Sequence, residues 1–203
     1  MIRSINGIYV TECMTFPRCG HTWLSRILKY YYKTKLNYCE MYKNPELMID
    51  VNENTNLQKN HDFNLSTSIK DDRKYLIQIR NKDDCLNSYY KLVILGEDKN
   101  YEQINLLDKN DKPDIFKYKK YIDWIDETQY YYYKFLNKWV FNYIPNSKIV
   151  IYEHLKHNTF DEVYSILKFM SNDDIDENIL IDSIKNSNEL HSVNESFKEI
   201  HSS

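Results

Sequence analysis

Apolar and polar positions along this chain alternate between two spacings. Three short runs rich in β-branched and aromatic residues, Gly7-Ile-Tyr-Val-Thr-Glu12, Tyr75-Leu-Ile-Gln-Ile79 and Lys148-Ile-Val-Ile-Tyr152, predict strands. After each, the spacing changes. Trp23, Leu24, Ile27, Leu28 and Tyr31 recur at three and four residues and predict a helix from Thr22 to about Lys33. Asp84 to Ile94 and Phe160 to Met170 read as helices in the same way, and Ile122 to Val140 as a longer one. In that long helix the Tyr130–Tyr133 run reads as packing and surface. Asp50 to Ser68 and Asp98 to Lys117 are polar and read as loops, of a length usually reserved for binding or gating. Strands alternating with helices predict an α/β fold of three layers, a central parallel sheet with helices on both faces. In such sheets ligands bind outside the carboxyl ends of the strands, so the residues there carry the functional argument.

Composition narrows the classes. The 203 residues are enough for one domain with its own core, and we expect a single domain over 1–203. An apolar fraction of 42% and an aromatic fraction of 15% exclude a disordered chain. A formal charge of −3 gives no electrostatic reason for a nucleic-acid or anionic-membrane partner, so any anion site must be local. Apolar runs fall far short of the roughly 18 residues of a membrane span, and the opening Met1-Ile-Arg-Ser-Ile-Asn has no signal core; the expectation is a soluble, intracellular, cytoplasmic protein. Cys13, Cys19, Cys39 and Cys85 form no C-x-x-C pair and read as reduced thiols, with no metal site implied.

The chemistry concentrates in Phe16-Pro-Arg-Cys-Gly-His-Thr-Trp23, between the first strand and the first helix. A helix N-terminus presents backbone N–H groups and a positive dipole end to whatever lies before it, which suits an anion. Gly20 allows close approach of the backbone, Thr22 can cap the helix and donate a hydroxyl, and Arg18 adds a planar, permanently charged donor. The Walker pattern is absent: no Gly stands five residues before Gly20 and no Lys follows it. That weighs against an ordinary ATPase or GTPase.

This loop, Thr15-Phe-Pro-Arg-Cys-Gly-His-Thr-Trp-Leu24, resembles the 5′-phosphosulfate loop of the sulfotransferases that use 3′-phosphoadenosine 5′-phosphosulfate (PAPS). Tyr75 to Tyr90 is similar to the family's second motif, a strand ending in Arg with a Ser eight positions on. The resemblance implies that Arg80 and Ser88 hold the donor's 3′-phosphate, beside Arg18, Cys19, Gly20, His21, Thr22 and Trp23 at the 5′ end. Leu57-Gln-Lys-Asn-His-Asp-Phe63 is similar to the segment that carries the general base, implying His61 as base and Lys59 as a charge partner for the donor or acceptor. Ser147 to Lys156 and Glu195 to Ile200 resemble the segments that close on the adenine, implying contacts from Tyr152, Ser196 and Phe197 with Trp23 stacking from the other side. The departures are Arg18 in place of Lys, Cys19 and His21 in place of small residues, and Lys82 in place of Pro. The sequence also ends at Ser203, short of the family's later Arg-Lys-Gly loop, which implies weaker donor binding or a substitute segment.

The resemblance therefore implies the P-loop-NTPase-like sulfotransferase fold and in-line transfer of a sulfuryl group to a hydroxyl or amine on a small-molecule or glycan acceptor. Adenosine 3′,5′-bisphosphate leaves, and no metal is needed. Two other classes stay open: a small phosphate-loop kinase, and a non-catalytic descendant that binds a nucleotide or a protein partner. Acceptor-side loops are expected at 41–57 and 94–118, with Tyr42, Tyr101 and Phe116 available to stack on a sugar or a ring.

Overall fold

The computed structural model describes residues 1–41, 54–95 and 115–200; the side chains of 189–200 are outside the description. The chain opens with a small antiparallel pair, β1 (Ser4–Ile5) and β2 (Ile8–Tyr9), turned at Asn6 and Gly7. β3 (Thr11–Thr15) enters the core and leads through the 16–20 loop to α1 (His21–Tyr32). Then come β4 (Tyr38–Met41), β5 (Leu57–Asn60), β6 (Lys74–Ile79) and α2 (Lys82–Tyr90). The second half holds α3 (Ile115–Leu136), β7 (Ser147–Ile151), α4 (Tyr152–His157), α5 (Thr159–Met170) and α6 (Glu177–Ile200). Wider π-type turns continue α2 over Lys91–Leu95 and α3 over Asn137–Phe141.

Five of the strands form one parallel sheet in the order β4-β5-β3-β6-β7. β3 lies in the middle and all five of its residues are buried, as expected where helices cover both faces. On one face Cys13, Leu57, Leu76 and Val150 pack with Leu24, Ile27 and Leu28 of α1, Val163, Ile166 and Leu167 of α5 and Leu180 of α6. On the other, Met14, Tyr75 and Ile77 pack with Cys85 and Leu86 of α2, Tyr132 and Phe135 of α3, and Trp139. Each buried aliphatic or aromatic side chain contributes about 1.5–3 kcal/mol of transfer free energy, so the two layers of core hold the sheet from both sides. The three-layer α/β expectation is met. Among the described residues, no helix is long and apolar enough to cross a membrane, and all four cysteines are free thiols.

Several expected boundaries move. The first strand is β3 over Thr11–Thr15; Gly7 belongs to the hairpin before it. The stretch read as loop from Asp50 to Ser68 contains β5, and β4 and α6 had no counterpart in the pattern. α2 starts at Lys82 because the Asn81 side chain accepts from the N–H groups of Asp83 and Asp84, and both acidic residues sit at the positive end of the helix. α3 starts at Ile115, so the expected 98–117 loop ends there; the remainder of that loop, like Tyr42, Tyr101 and the side chain of Phe116, is outside the described residues.

Candidate functional site

The strand order itself singles out a place. From β3 the chain crosses by way of α1 towards the β4 edge, and from β6 it crosses by way of α2 and α3 towards the β7 edge, so the direction of winding reverses between β3 and β6. A crevice outside the carboxyl ends of such a strand pair is where ligands bind in doubly wound sheets. The loop after β3 holds Arg18 and Gly20; β6 ends at Ile79, directly before Arg80.

The 16–20 loop has an unusual backbone. Gly20 is the N-cap of α1 with φ of 81°, and a Cβ placed on it would run into the Tyr152 ring, so two independent constraints require glycine here. Arg18 has φ of 69°, a left-handed conformation costly for a residue with a Cβ and typical of functional loops. Cys85 of α2 pins the loop from below by donating its thiol to the Pro17 carbonyl at 2.9 Å, with its sulfur 3.6 Å from that of Cys19. Thr22, expected to cap the helix, is two residues too far along; Gly20 occupies the cap position and no side chain bonds there.

Around this loop three separate segments converge. Arg18 Nε donates to Ser88 Oγ on α2 at 3.0 Å, and Arg80 Nη1 donates to the Arg18 carbonyl at 3.3 Å. The Arg80 guanidinium lies 4.6 Å from the centre of the Tyr152 ring, while the Tyr132 hydroxyl fixes its backbone by donating to the Arg80 carbonyl at 2.7 Å. Among the described residues Arg80 Nε is buried without a hydrogen-bond partner, an unmet donor on a permanent cation. Glu153, next to Tyr152, accepts from the Asn81 N–H at 2.9 Å and ties α4 to the start of α2.

On the other side of β3 lie Lys59 and His61. Lys59 is on β5, with Cys13 and Glu40 as its register partners on the two flanking strands, and is 6% exposed. Its ammonium is 3.8 Å from Glu40 Oε2; burial pulls its pKa down while Glu40 opposes the fall. His61 follows β5 directly and is 8% exposed. Its Nδ1 is 2.6 Å from the Thr15 carbonyl, which can only accept, so Nδ1 carries the proton and Nε2 is the basic nitrogen. Burial holds the imidazole neutral, with its pKa lowered to about 4. The backbone of His61 is held by Tyr131, whose hydroxyl donates to its carbonyl at 2.7 Å, and the ring packs 5.1 Å from Phe63. Asp62 is fully enclosed and accepts from Lys138 Nζ at 2.6 Å, Trp139 Nε1 at 2.9 Å and the Thr67 N–H at 2.8 Å, which rivets the loop after β5 to the end of α3.

Two expected residues play a different part. The His21 side chain is buried, with Nδ1 2.7 Å from the Gln78 amide oxygen and 3.1 Å from Cys13 Sγ, and Nε2 2.9 Å from the Tyr38 hydroxyl. Burial lowers its pKa to about 3. It contributes its backbone to the helix start and its side chain to the layer beneath. The Trp23 indole N–H donates to Asn188 Oδ1 of α6 at 3.1 Å and the ring is half-buried against the α1 core. The backbone of Ser196 and Phe197 is in α6, and their side chains lie outside the described residues. Tyr38, Glu40, Gln78 and Asp62, which support Lys59, His21 and the loop after β5, were not among the expected residues; their one visible signal in the sequence is the Tyr-x-Glu spacing on a single strand.

No protein-family model matches the chain, and no curated protein matches it. The fold and site alone define the class: a three-layer α/β protein with a basic crevice at the switch point of its parallel sheet and a neutral, buried imidazole on the adjoining strand.

Proposed function

We infer that this protein is a sulfotransferase that moves a sulfuryl group from PAPS to a hydroxyl or amine acceptor. The observation that carries the reading is the convergence of Arg18, Ser88 and Arg80, drawn from three segments, at the carboxyl ends of β3 and β6, with Lys59 and His61 across β3 from them. The unmet Arg80 donor and the left-handed Arg18 and Gly20 fit a ligand with two anionic ends. Arg80 and Ser88 would hold the 3′-phosphate; Arg18, the exposed Thr22 and the N–H groups at the start of α1 would hold the 5′-phosphosulfate, and Tyr152 would meet the adenine with its ring.

The donor supplies an activated sulfuryl group on its 5′-phosphate. The protein then has three tasks. His61 takes the acceptor proton at Nε2 as the new S–O bond forms, and its bond to the Thr15 carbonyl keeps that nitrogen in its basic form. Lys59 and Arg18 balance negative charge on the sulfuryl oxygens. When the old S–O bond breaks its electron pair stays on the 5′-phosphate oxygen of the leaving bisphosphate, and Arg18 and the helix N-terminus stabilise that charge. Preorganised charge in a site shielded from water provides most of the rate in transfers of this type.

Calorimetric titration with adenosine 3′,5′-bisphosphate, beside AMP and ATP, tests the reading. Binding that depends on the 3′-phosphate supports it and leads to an acceptor screen with PAPS. No binding of the bisphosphate sinks it.

A further inference from the structure

Beneath the phosphate loop, on the face of the sheet that carries α1, lies a buried polar layer whose members form one continuous chain. The Tyr38 hydroxyl is 2.6 Å from Glu40 Oε1, and an ionised carboxylate can only accept, so Tyr38 donates there. Its oxygen is then left to accept, and the group in place is His21 Nε2 at 2.9 Å, with the two rings stacked 5.8 Å apart. His21 must therefore carry its proton on Nε2, because burial keeps the ring from holding two. Nδ1 is left as an acceptor facing the Gln78 amide at 2.7 Å. Gln78 is fully buried and its amide nitrogen has no partner, while its oxygen is set against this acceptor nitrogen. Turning the amide over gives the nitrogen its partner: its N–H then donates to His21 Nδ1, and Cys13 Sγ, whose thiol donates to the amide oxygen at 3.2 Å before the turn, becomes an acceptor for that NH2 group. All donors then point one way, from Gln78 to His21 to Tyr38 to Glu40, and the second oxygen of Glu40 faces the ammonium of Lys59. Aligned bonds of this kind polarise one another and concentrate negative charge at the far end.

We propose that Glu40 is a positioning residue for Lys59, and that the Gln78–His21–Tyr38 chain aims and polarises its carboxylate, coupling the first residue of the phosphate-loop helix to the lysine across β3. Its geometry has an economical cause. Tyr38 and Glu40 are two apart on the edge strand and share a face, Glu40 and Lys59 are register partners, and His21 reaches them from the start of α1. Among the described residues, the charged and titratable groups facing Lys59 include Glu40 from β4, Cys13 from β3, His21 from α1, Arg18 from the loop and His61 after β5; of these, Glu40 is the anion at neutral pH. Without it the ammonium would stand buried beside two neutral imidazoles and the Arg18 guanidinium and would lose either its proton or its place.

The test reads the chain without any ligand and the catalysis with one. Imidazole nitrogen NMR of the purified protein should show His21 protonated on Nε2 and His61 on Nδ1, and Tyr38→Phe should move the His21 proton to Nδ1. NMR titration of 13C-labelled lysines should show the Lys59 pKa about one unit or more lower in Glu40→Gln than in the parent. Turnover with PAPS, which rests on the function proposed above, should fall about tenfold to a hundredfold in Glu40→Gln with adenosine 3′,5′-bisphosphate affinity kept within about twofold. His21 protonated on Nδ1 in the parent, or a Lys59 titration unmoved by Glu40→Gln, overturns the proposal. If the parent neither binds the bisphosphate nor turns over, the sulfotransferase reading falls, and the two NMR results still decide the role of Glu40.

Discussion

The two strands that flank β3 end in opposite ways. On the β6 side stand permanent charges at half-buried positions, Arg18 and Arg80, with Ser88 of α2 and the Tyr152 ring beside them. On the β5 side the groups are buried and adjustable: a neutral histidine with its pKa lowered to about 4, a lysine with its pKa drawn down, and a carboxylate to hold it. Guanidinium groups cannot lose their charge and bind phosphate with fixed geometry, so they suit recognition. Groups that exchange a proton must be poised near neutrality of charge, which desolvation achieves. One parallel sheet thus places permanent charge on one side of its central strand and adjustable, buried groups on the other.

Substitutions should separate the two sides. The largest effect is expected from His61→Ala, which should lower kcat by about 10²–10⁴ while adenosine 3′,5′-bisphosphate binds as to the parent; a matched loss of binding would erase the distinction between the sides. Next, Asp62→Ala should cost about 3 kcal/mol in urea denaturation, because Lys138 and the Trp139 indole lose their shared buried acceptor, and it should disturb His61 more than Arg80. Arg80→Ala should weaken the bisphosphate by about 10–100-fold and remove the preference over AMP, with the His61 tautomer unchanged by NMR. Gly20→Ala should cost about 1–3 kcal/mol through its left-handed φ, and more than that through the Tyr152 ring; pairing it with Tyr152→Ala should return the second part and leave the first.

The mildest probe is pH. Unfolding exposes His21 and His61, whose pKa values return from about 3 and about 4 to near 6.5, so below pH 6.5 the unfolded chain binds more protons than the folded one. Stability is therefore complete above pH 6.5 and falls with acid by up to ~1.4 kcal/mol per pH unit for each ring, until pH drops through the folded values. Denaturation midpoints at pH 7 and pH 5 check this. kcat should stay level across the same interval, with its acid limb near pH 4 set by His61.

Where the sequence was legible, local chemistry and tertiary demand agreed. Pro17 and Gly20 marked the loop, and Leu24, Ile27 and Leu28 the buried face of α1. The alternation of strand and helix gave the parallel sheet. β5 escaped because Leu57-Gln-Lys-Asn60 is polar, and yet all four residues are buried. Their polar groups are satisfied by partners distant in sequence: Glu40 for Lys59, and Glu12 and Thr67 for Asn60 at 3.0 Å each. No window of sequence displays that. α6 escaped for another reason. Its buried stripe is Leu180, Ser183 and Ser187, and the two serines return their hydroxyls to the helix at the Ile179 and Ile184 carbonyls, so small residues line the face where large apolar ones would have signalled a helix. Of the candidate site, the charged ends were readable from motif spacing, whereas the layer that holds Lys59 depends on strand register.

The pairing of α1 with α6 also sets a schedule. Tyr31 and Trp23 on α1 bond to Asp176 and Asn188, separations of 145 and 165 residues. During synthesis α1 is made well before α6, which covers it. The helix that follows the 16–20 loop thus emerges well before α6 can enclose it, an interval in which a chaperone can hold it. Ribosome-stalled chains cut before Glu177 should expose this face to protease, and chains carrying α6 should protect it.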